Sequence, residues 1–432
     1  MASTVGEVIT CKAVVCKKVQ KPGQTYNDII EVMDIQVDPP QNTEIRVMML
    51  SAGICHTDIS TIEGFMTTTN FPRVLGHEGV GIVESMGPDA TGFAVGDYVI
   101  APTYGECGTC GSCRSGRTNV CQTYGANEAA LEPDGDSRFS YIDGDGNRQI
   151  LYYFLACSTW TQYMVVDSNY AVKVDRNEFA APQATILSCA FTTGYGAVWL
   201  EGLVSPGDTV AVFGVGSVGL SSVIAAKELG ATRIIAIDRN ERKRKVALSL
   251  GATDFINTVW LEGSVSDKVK ELTGGIGVDA CIEASGSDGL MNEALKSAIA
   301  GKNKTVICGA GIFPGNKLQL DFSTFLFGNK LAGCIYGRVK IKSDLPTVFE
   351  KAKLPHIRDG INRILAYDEE TGDCGFQVDI RDGSDAIYTA LNDYLDDKDS
   401  IKIVIKLNDD PFIIIPKENK AGVPETGVEQ DS

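Results

Sequence analysis

The chain has 432 residues, with 39 Lys and Arg set against 56 Asp and Glu, for a formal net charge of −17. That length accommodates two or three domains, each with its own core, and the negative charge disfavours nucleic acid and anionic membrane surfaces as partners. Hydrophobic content of 44% with no uninterrupted apolar window of 18 to 20 residues argues against a membrane span. The 13 cysteines follow an N-terminus without a basic-then-apolar leader, so metal ligands in a reducing compartment, the cytoplasm, are expected.

In chain order, Val8–Val15, Ile29–Val37 and Glu44–Leu50 are short β-branched runs broken by Pro22, Pro39 and Pro40, and read as strands. Gly76–Val83 and Asp97–Ile100 continue that texture. Residues 122–150 are polar and rich in Gly and Asp (Asp134-Gly-Asp, Asp143-Gly-Asp-Gly), which predicts a surface excursion carrying a hairpin. From about Ala190 strand and helix patterns alternate: Thr209–Phe213, Ser217–Leu229, Arg233–Asp238, Arg242–Leu250, Asp279–Glu283, Gly289–Ala300 and Thr305–Gly309. Such alternation predicts a parallel sheet with crossover helices. After about Tyr336 the pattern is mixed again, and 408–432 reads as a tail with one apolar run, Phe412–Ile415.

Cys107, Cys110, Cys113 and Cys121 lie too close in sequence to be spread through a core. As thiolates they can surround one tetrahedral Zn²⁺ at about 2.3 Å each, and a closed four-cysteine shell leaves no position for substrate. The site is therefore expected to be structural.

Thr209–Phe213 runs straight into Gly214-Val-Gly216-Ser-Val-Gly219, which opens a helix. In a dinucleotide turn the first glycine makes the bend, the second admits the pyrophosphate and the third lets helix pack on strand. The helix N-terminus then offers N–H groups and a positive dipole end to phosphate. Asp238, closing the next strand, suits the adenosine ribose hydroxyls and repels a 2′-phosphate, which favours NAD over NADP; Arg239 beside it softens that preference.

Cys55-His56-Thr57-Asp58, Gly76-His77-Glu78-Gly79 and Ser188-Cys189 hold further soft or imidazole donors, in a chain with only 3 histidines. Three protein ligands and one open position is the plan of a catalytic zinc site.

With these motifs and Leu187-Ser-Cys-Ala-Phe-Thr-Thr-Gly-Tyr195, residues 8–407 resemble the zinc-dependent medium-chain alcohol dehydrogenases in their long, plant-type form. The resemblance implies an α/β architecture: a β-rich GroES-like catalytic domain (1–190 and 336–407, with the structural zinc lobe) and a doubly wound Rossmann domain (191–335), followed by the 408–432 tail. It implies catalytic zinc on Cys55, His77 and Cys189, with Glu78 behind or transiently on the metal and Asp58 orienting His77. It further implies NAD in the cleft, two zinc ions per subunit, and a homodimer joined through the nucleotide domains. Cofactor contacts would come from His56, Thr193, Gly214, Gly216, Val218, Gly219, Asp238, Lys243 and Lys402, the last replacing an arginine with a point charge. Thr103, Phe154 and Leu155 would line the substrate pocket. An alcohol oxygen on such a zinc ionises near neutral pH, Thr57 takes the proton, and hydride passes to the nicotinamide.

The chain also departs from the pattern. Ser60 stands where many members have a histidine that relays the proton outward, Thr103 replaces an aromatic, and Thr61–Asn70 is worded differently. The plant branch includes the aliphatic hydroxynitrile lyase of flax, in which a cyanohydrin would collapse to a carbonyl compound and cyanide while NAD stays bound without turnover. Two readings thus stand side by side: hydride transfer between an alcohol or aldehyde and NAD, or cleavage of a cyanohydrin. The pocket residues after Gly309, such as Ala310 and Ile312, are not placed by spacing alone.

Overall fold

The computed structural model describes residues 4–64, 70–125, 131–132, 134–301, 304–308, 320, 322–396 and 400–411. Two of its sheets are largely antiparallel. A five-stranded sheet runs in the order Arg73–Val74, Ile9–Cys16, Ile30–Val37, Phe139–Ile142, Arg148–Ile150. A seven-stranded sheet is centred on Glu44–Gly53, which pairs with Gly79–Met86, Tyr163–Asp167 and Val404–Lys406. Alternating Val, Ile and Met on these strands face one shared core (Val14, Ile35, Val47, Met49, Val83, Met164, Ile405), all sealed from solvent. The predicted hairpin in 122–150 forms: Phe139–Ile142 and Arg148–Ile150 pair antiparallel across Asp143-Gly-Asp-Gly, where Asp143 Oδ1 accepts from the N–H groups of Asp145 and Asn147 at 3.0 and 2.9 Å.

The third sheet is parallel, with six strands drawn from residues 209–333. Its order is Asp254–Asn257, Arg233–Asp238, Thr209–Phe213, Ala280–Glu283, Lys304–Ile307, Lys330–Gly333, so the chain starts in the middle and winds outward both ways. The strand ends on either side of that reversal open a crevice for a ligand. No described helix is long and apolar enough to cross a membrane.

One expectation shifts. The strand predicted from Gly76 starts only at Gly79. Gly76 has φ +93°, and a Cβ there would collide with Trp160, so the chain bends and leaves His77 in a loop instead of a ladder. Within 408–432, residues 408–410 are bound to the seven-stranded sheet and its surroundings: Asn408 Nδ2 donates to Met49 O (2.7 Å) and Gln162 O (2.9 Å), and Asp410 pairs with Arg176. Phe412–Ile415 lies outside the described residues, as do Ala310, Ile312 and 65–69.

The excursion also buries a carboxyl, Glu132, beside the Arg138–Glu44 ion pair (2.7 Å). Burial, reinforced by Glu44, pushes its pKa from 4.5 up to about 7. A raised folded-state value means stability that is complete below about pH 4.5 and lost as pH rises through about 7, up to about 3 kcal/mol. Glu132→Gln is expected to flatten that slope. Urea midpoints at pH 5 and pH 8 test it: the wild type should lose ground to the variant between the two, and parallel behaviour would remove Glu132 as the cause.

Candidate metal centre and nucleotide cleft

Three elements deliver Cys55, His77 and Cys189 to one point. Cys55 is the N-cap of the helix His56–Ile62, just past the strand Glu44–Gly53. His77 sits in the loop that Gly76 creates. Cys189 is the N-cap of the helix Ala190–Gly196. One donor atom from each, with a Glu78 oxygen, all lie within 4.8 Å of one another. Convergence this tight needs Gly53, where a Cβ would collide with Glu78 and Lys402.

Asp58 is buried behind the imidazole. Its Oδ1 lies 3.2 Å from His77 Nδ1 and accepts from Gly76 N at 3.1 Å, and its Oδ2 accepts from Cys55 N at 3.2 Å. This fixes the ring and leaves Nε2 for a metal. The Cys55 thiol is held well below its ordinary range, first by a hydrogen bond with Cys189 and then by His77, while Cys189 is pushed up by the same bond and by burial. Burial works against a charged His77, yet Asp58 and Cys55 lift it above its ordinary value. Cys189 and His77 are thus shifted toward protonated forms that a divalent cation would displace, while Cys55 is shifted toward the thiolate, and two sulfurs with one imidazole suit Zn²⁺.

Glu78 and Lys402 form a sealed pair. Burial raises Glu78 to about 7, with Lys402 pulling the other way. Lys402 Nζ ion-pairs with Glu78 and donates to Ile54 O at 3.0 Å. The preceding residue, Ile401, accepts from Ser217 Oγ at the nucleotide turn (2.9 Å). Lys402 thus stands between metal centre and cleft, and a phosphate contact would require it to leave Glu78. Thr57 Oγ1 is 3.8 Å from Cys55 Sγ, and His56 is exposed at the helix start. Phe154 presents itself edge-on to His77 with centroids 5.7 Å apart, and Leu155 follows it at φ +49°. Thr103 is buried.

At the nucleotide turn two of the three glycines answer to a contact. A Cβ on Gly214 would strike Ser285 and one on Gly219 would strike Gly214 O, whereas one on Gly216 would meet nothing within 4 Å. That open face is where a pyrophosphate can approach. Asp238 Oδ2 accepts from Val215 N at 2.8 Å and Oδ1 from Asn240 N at 2.9 Å, with Lys243 Nζ 3.6 Å from Oδ2. Thr193 and Val218 sit on the helices flanking the turn, Ala190–Gly196 and Ser217–Glu228. The residues present fit a dinucleotide.

Cys107, Cys110, Cys113 and Cys121 converge as a second cluster. Sulfurs of Cys107 and Cys113, and of Cys110 and Cys121, are 3.9 Å apart. Backbone N–H groups of Cys110, Cys113 and Tyr124 donate to the sulfurs of Cys107, Cys110 and Cys121 at 3.3, 3.4 and 3.3 Å, as a thiolate shell requires. The lobe grips a distant segment: Asn119 Nδ2 donates to Ile335 O (3.0 Å), and Lys340 Nζ to Cys113 O (2.6 Å).

Sequence reasoning missed Gly53, the Lys402–Glu78 pairing, and the burial of Tyr336. A glycine closing a strand next to a ligand was the available signal for the first. Chain separation hid the others.

Two soft-donor clusters on an α/β fold with a parallel sheet define a protein with two candidate metal sites beside a candidate nucleotide turn. Residues 41–176 match the alcohol dehydrogenase GroES-like domain and residues 217–353 the zinc-binding dehydrogenase domain. The chain is 58% identical over 407 residues to an aliphatic (R)-hydroxynitrile lyase of Linum usitatissimum, covering 93% of this chain and 96% of that protein. It is 42% identical over 405 residues to the "CYP enzymes assisting alcohol dehydrogenase" of Catharanthus roseus, covering 93% and 100%. Among solved structures, an alcohol dehydrogenase zinc-binding domain protein from Burkholderia ambifaria superposes with a TM-score of 0.78 at 28% identity, over 93% of this chain and 100% of that one. The chain belongs to the zinc-type medium-chain alcohol dehydrogenase family.

Proposed function

We propose that the protein is an aliphatic hydroxynitrile lyase that retains the dehydrogenase site. The carrying observation is Ser60. Its side chain is 2% exposed and its hydroxyl makes no hydrogen bond among the described residues. Oxidising an alcohol with NAD releases a proton that has to reach water. Cleaving a cyanohydrin does not: the O–H proton ends on the departing cyanide, and the C–CN electron pair leaves with it as HCN. A proton path that stops in a buried serine suits the second reaction. The 58% identity to the flax lyase, against 42% to the Catharanthus roseus relative, supports the same reading.

In this reading Cys55, His77 and Cys189 hold a catalytic zinc, which supplies an electrophile for the substrate oxygen. Thr57 relays the hydroxyl proton, Asp58 holds His77 in register, and Phe154, Leu155 and Thr103 shape the pocket. Gly214, Gly216, Gly219, Asp238, Lys243, His56, Thr193 and Val218 hold NAD, with Lys402 able to join once it leaves Glu78. Cys107, Cys110, Cys113 and Cys121 hold a second, structural zinc. The two antiparallel sheets form the catalytic domain (1–190 and 336–407) and the parallel sheet the nucleotide domain (191–335). The free cysteines support a cytoplasmic location. The strand Lys330–Gly333 ends the parallel sheet, with Leu326 and Phe327 68% and 67% exposed beside it, which suits a homodimer joined along that edge.

The intact glycine turn and Asp238 favour a second reading, NAD-dependent alcohol oxidation. Following cyanide and NADH together separates the two. Cyanide release from acetone cyanohydrin above the uncatalysed rate, without NADH from primary or secondary alcohols, is expected. NADH without cyanide would overturn the lyase reading.

A further inference from the structure

Cys55 and Cys189 are each set by the start of a helix, whereas His77 lies in the loop between the strands Arg73–Val74 and Gly79–Met86. A loop needs other anchors, and residues 158–160 supply them one carbonyl at a time. Ser158 Oγ donates to Val74 O, Trp160 N to Leu75 O and Thr159 N to Gly76 O, each at 2.9 Å. Thr159 Oγ1 then donates to Glu78 O at 2.7 Å. One residue thus grips the carbonyl on either side of His77.

The grip is enclosed and rigid. Thr159 is 0% exposed, and a Cβ on Gly79 would stand 2.9 Å from its Cβ, so the strand that follows His77 packs directly on the threonine. The turn that delivers Thr159 is strained: Leu155 (φ +49°), Ala156 (φ +67°) and Ser158 (φ +54°) are left-handed without being glycine. Ser158 Oγ closes that turn by accepting from Phe154 N at 2.8 Å. Asp58 meanwhile holds the ring through Nδ1 at 3.2 Å. Backbone and imidazole of His77 are therefore fixed by two separate residues.

We infer that Thr159 is a positioning residue of the metal centre: by holding Gly76 O and Glu78 O, it fixes the peptide of His77 so that Nε2 is aimed at Cys55 and Cys189 before a cation arrives. The hydroxyl is not what folds the loop, because Glu78 O also accepts from Gly53 N at 3.1 Å. The inference rests on Cys55, His77 and Cys189 as metal ligands and holds for either reaction.

The test withdraws zinc from the full-length protein with a chromophoric chelator, the ion missing from Cys55→Ala marking the catalytic site. Thr159→Val keeps the N–H and the branched shape and loses the hydroxyl. It is expected to weaken binding of that ion roughly 10- to 100-fold, the range for partners of metal ligands, with the four-cysteine ion unaffected. Thr159→Ser, which keeps the hydroxyl, should restore wild-type binding. Wild-type affinity in Thr159→Val overturns the inference. So does equal weakening of both ions, which would mean general loosening, or equal weakening in Thr159→Ser, which would mean packing. Were Thr159→Val to fail to fold, Thr159→Ala set against Thr159→Ser makes the same comparison. Metal content left unchanged by Cys55→Ala overturns the metal reading itself, and this inference with it.

Discussion

Cys55→Ala is expected to give a folded protein with one metal ion fewer and turnover slowed about 10,000-fold or more. A metal acting as a Lewis acid contributes several kcal/mol to the barrier, and about 5.5 kcal/mol corresponds to that factor. Removing Cys55 leaves only His77 and Cys189, with Glu78 engaged by Lys402, too few donors to hold zinc in an open tetrahedral site. The core beneath should survive, since Cys55 is only partly buried and its backbone N–H to Asp58 is kept by alanine. Metal content, far-UV circular dichroism and cyanide release measured on one preparation check it. A Cys55→Ala protein with full metal content and more than a tenth of the activity would exclude the site.

The second large effect is structural. Cys110→Ser should empty the four-cysteine lobe, because its sulfur both ligates and receives Cys113 N–H. Losing a structural metal belongs to the mutations that cost about 4 kcal/mol or more, which lowers Tm by roughly 4 °C in a chain of this size. The damage should spread. Without the lobe, Asn119 and Lys340 lose their anchorage, and Glu106 no longer holds Lys342 N (2.7 Å) and Ser343 N (3.1 Å). The turn at Tyr336 would slacken and activity fall with the catalytic metal still in place. Calorimetry together with metal analysis checks this; a variant melting with wild type would show that the lobe braces nothing.

What was legible in the sequence was local. Gly214, Gly216 and Gly219 advertise their turn because their spacing falls directly between a β-branched strand and the start of a helix. The four-cysteine lobe closes on itself, and Asp143-Gly-Asp-Gly specifies its hairpin by its own side-chain hydrogen bonds. Cys55, His77 and Cys189 were legible as donor types, and their convergence followed from the family resemblance rather than from spacing. Long-range pairings left no trace. Lys402 meets Ile54 across 348 residues, and nothing near Ser400 announces that it will face Glu78 instead of a phosphate. Tyr336 reads as one more apolar residue after a strand; its backbone conformation, which no periodicity encodes, turns it inward. The premature start assigned to the strand at Gly76 has the same origin, since the residue that forces the bend is Trp160.

The strand that carries the chain into Cys55 is completed by Val404–Lys406, near the end of the polypeptide. Domains generally form N-terminal first as a chain is synthesised, but this sheet cannot be completed so: until Val404–Lys406 is made, Glu44–Gly53 lacks the partner of its Ser51–Gly53 end and Glu78 lacks the Lys402 cation. The four-cysteine lobe is under no such restriction, because its sulfurs all come from residues 107–121. It is ready to capture zinc while most of the chain is still unmade. The four lobe donors are thus contiguous in the chain, whereas Cys55, His77 and Cys189 meet only once strands far apart in sequence have paired.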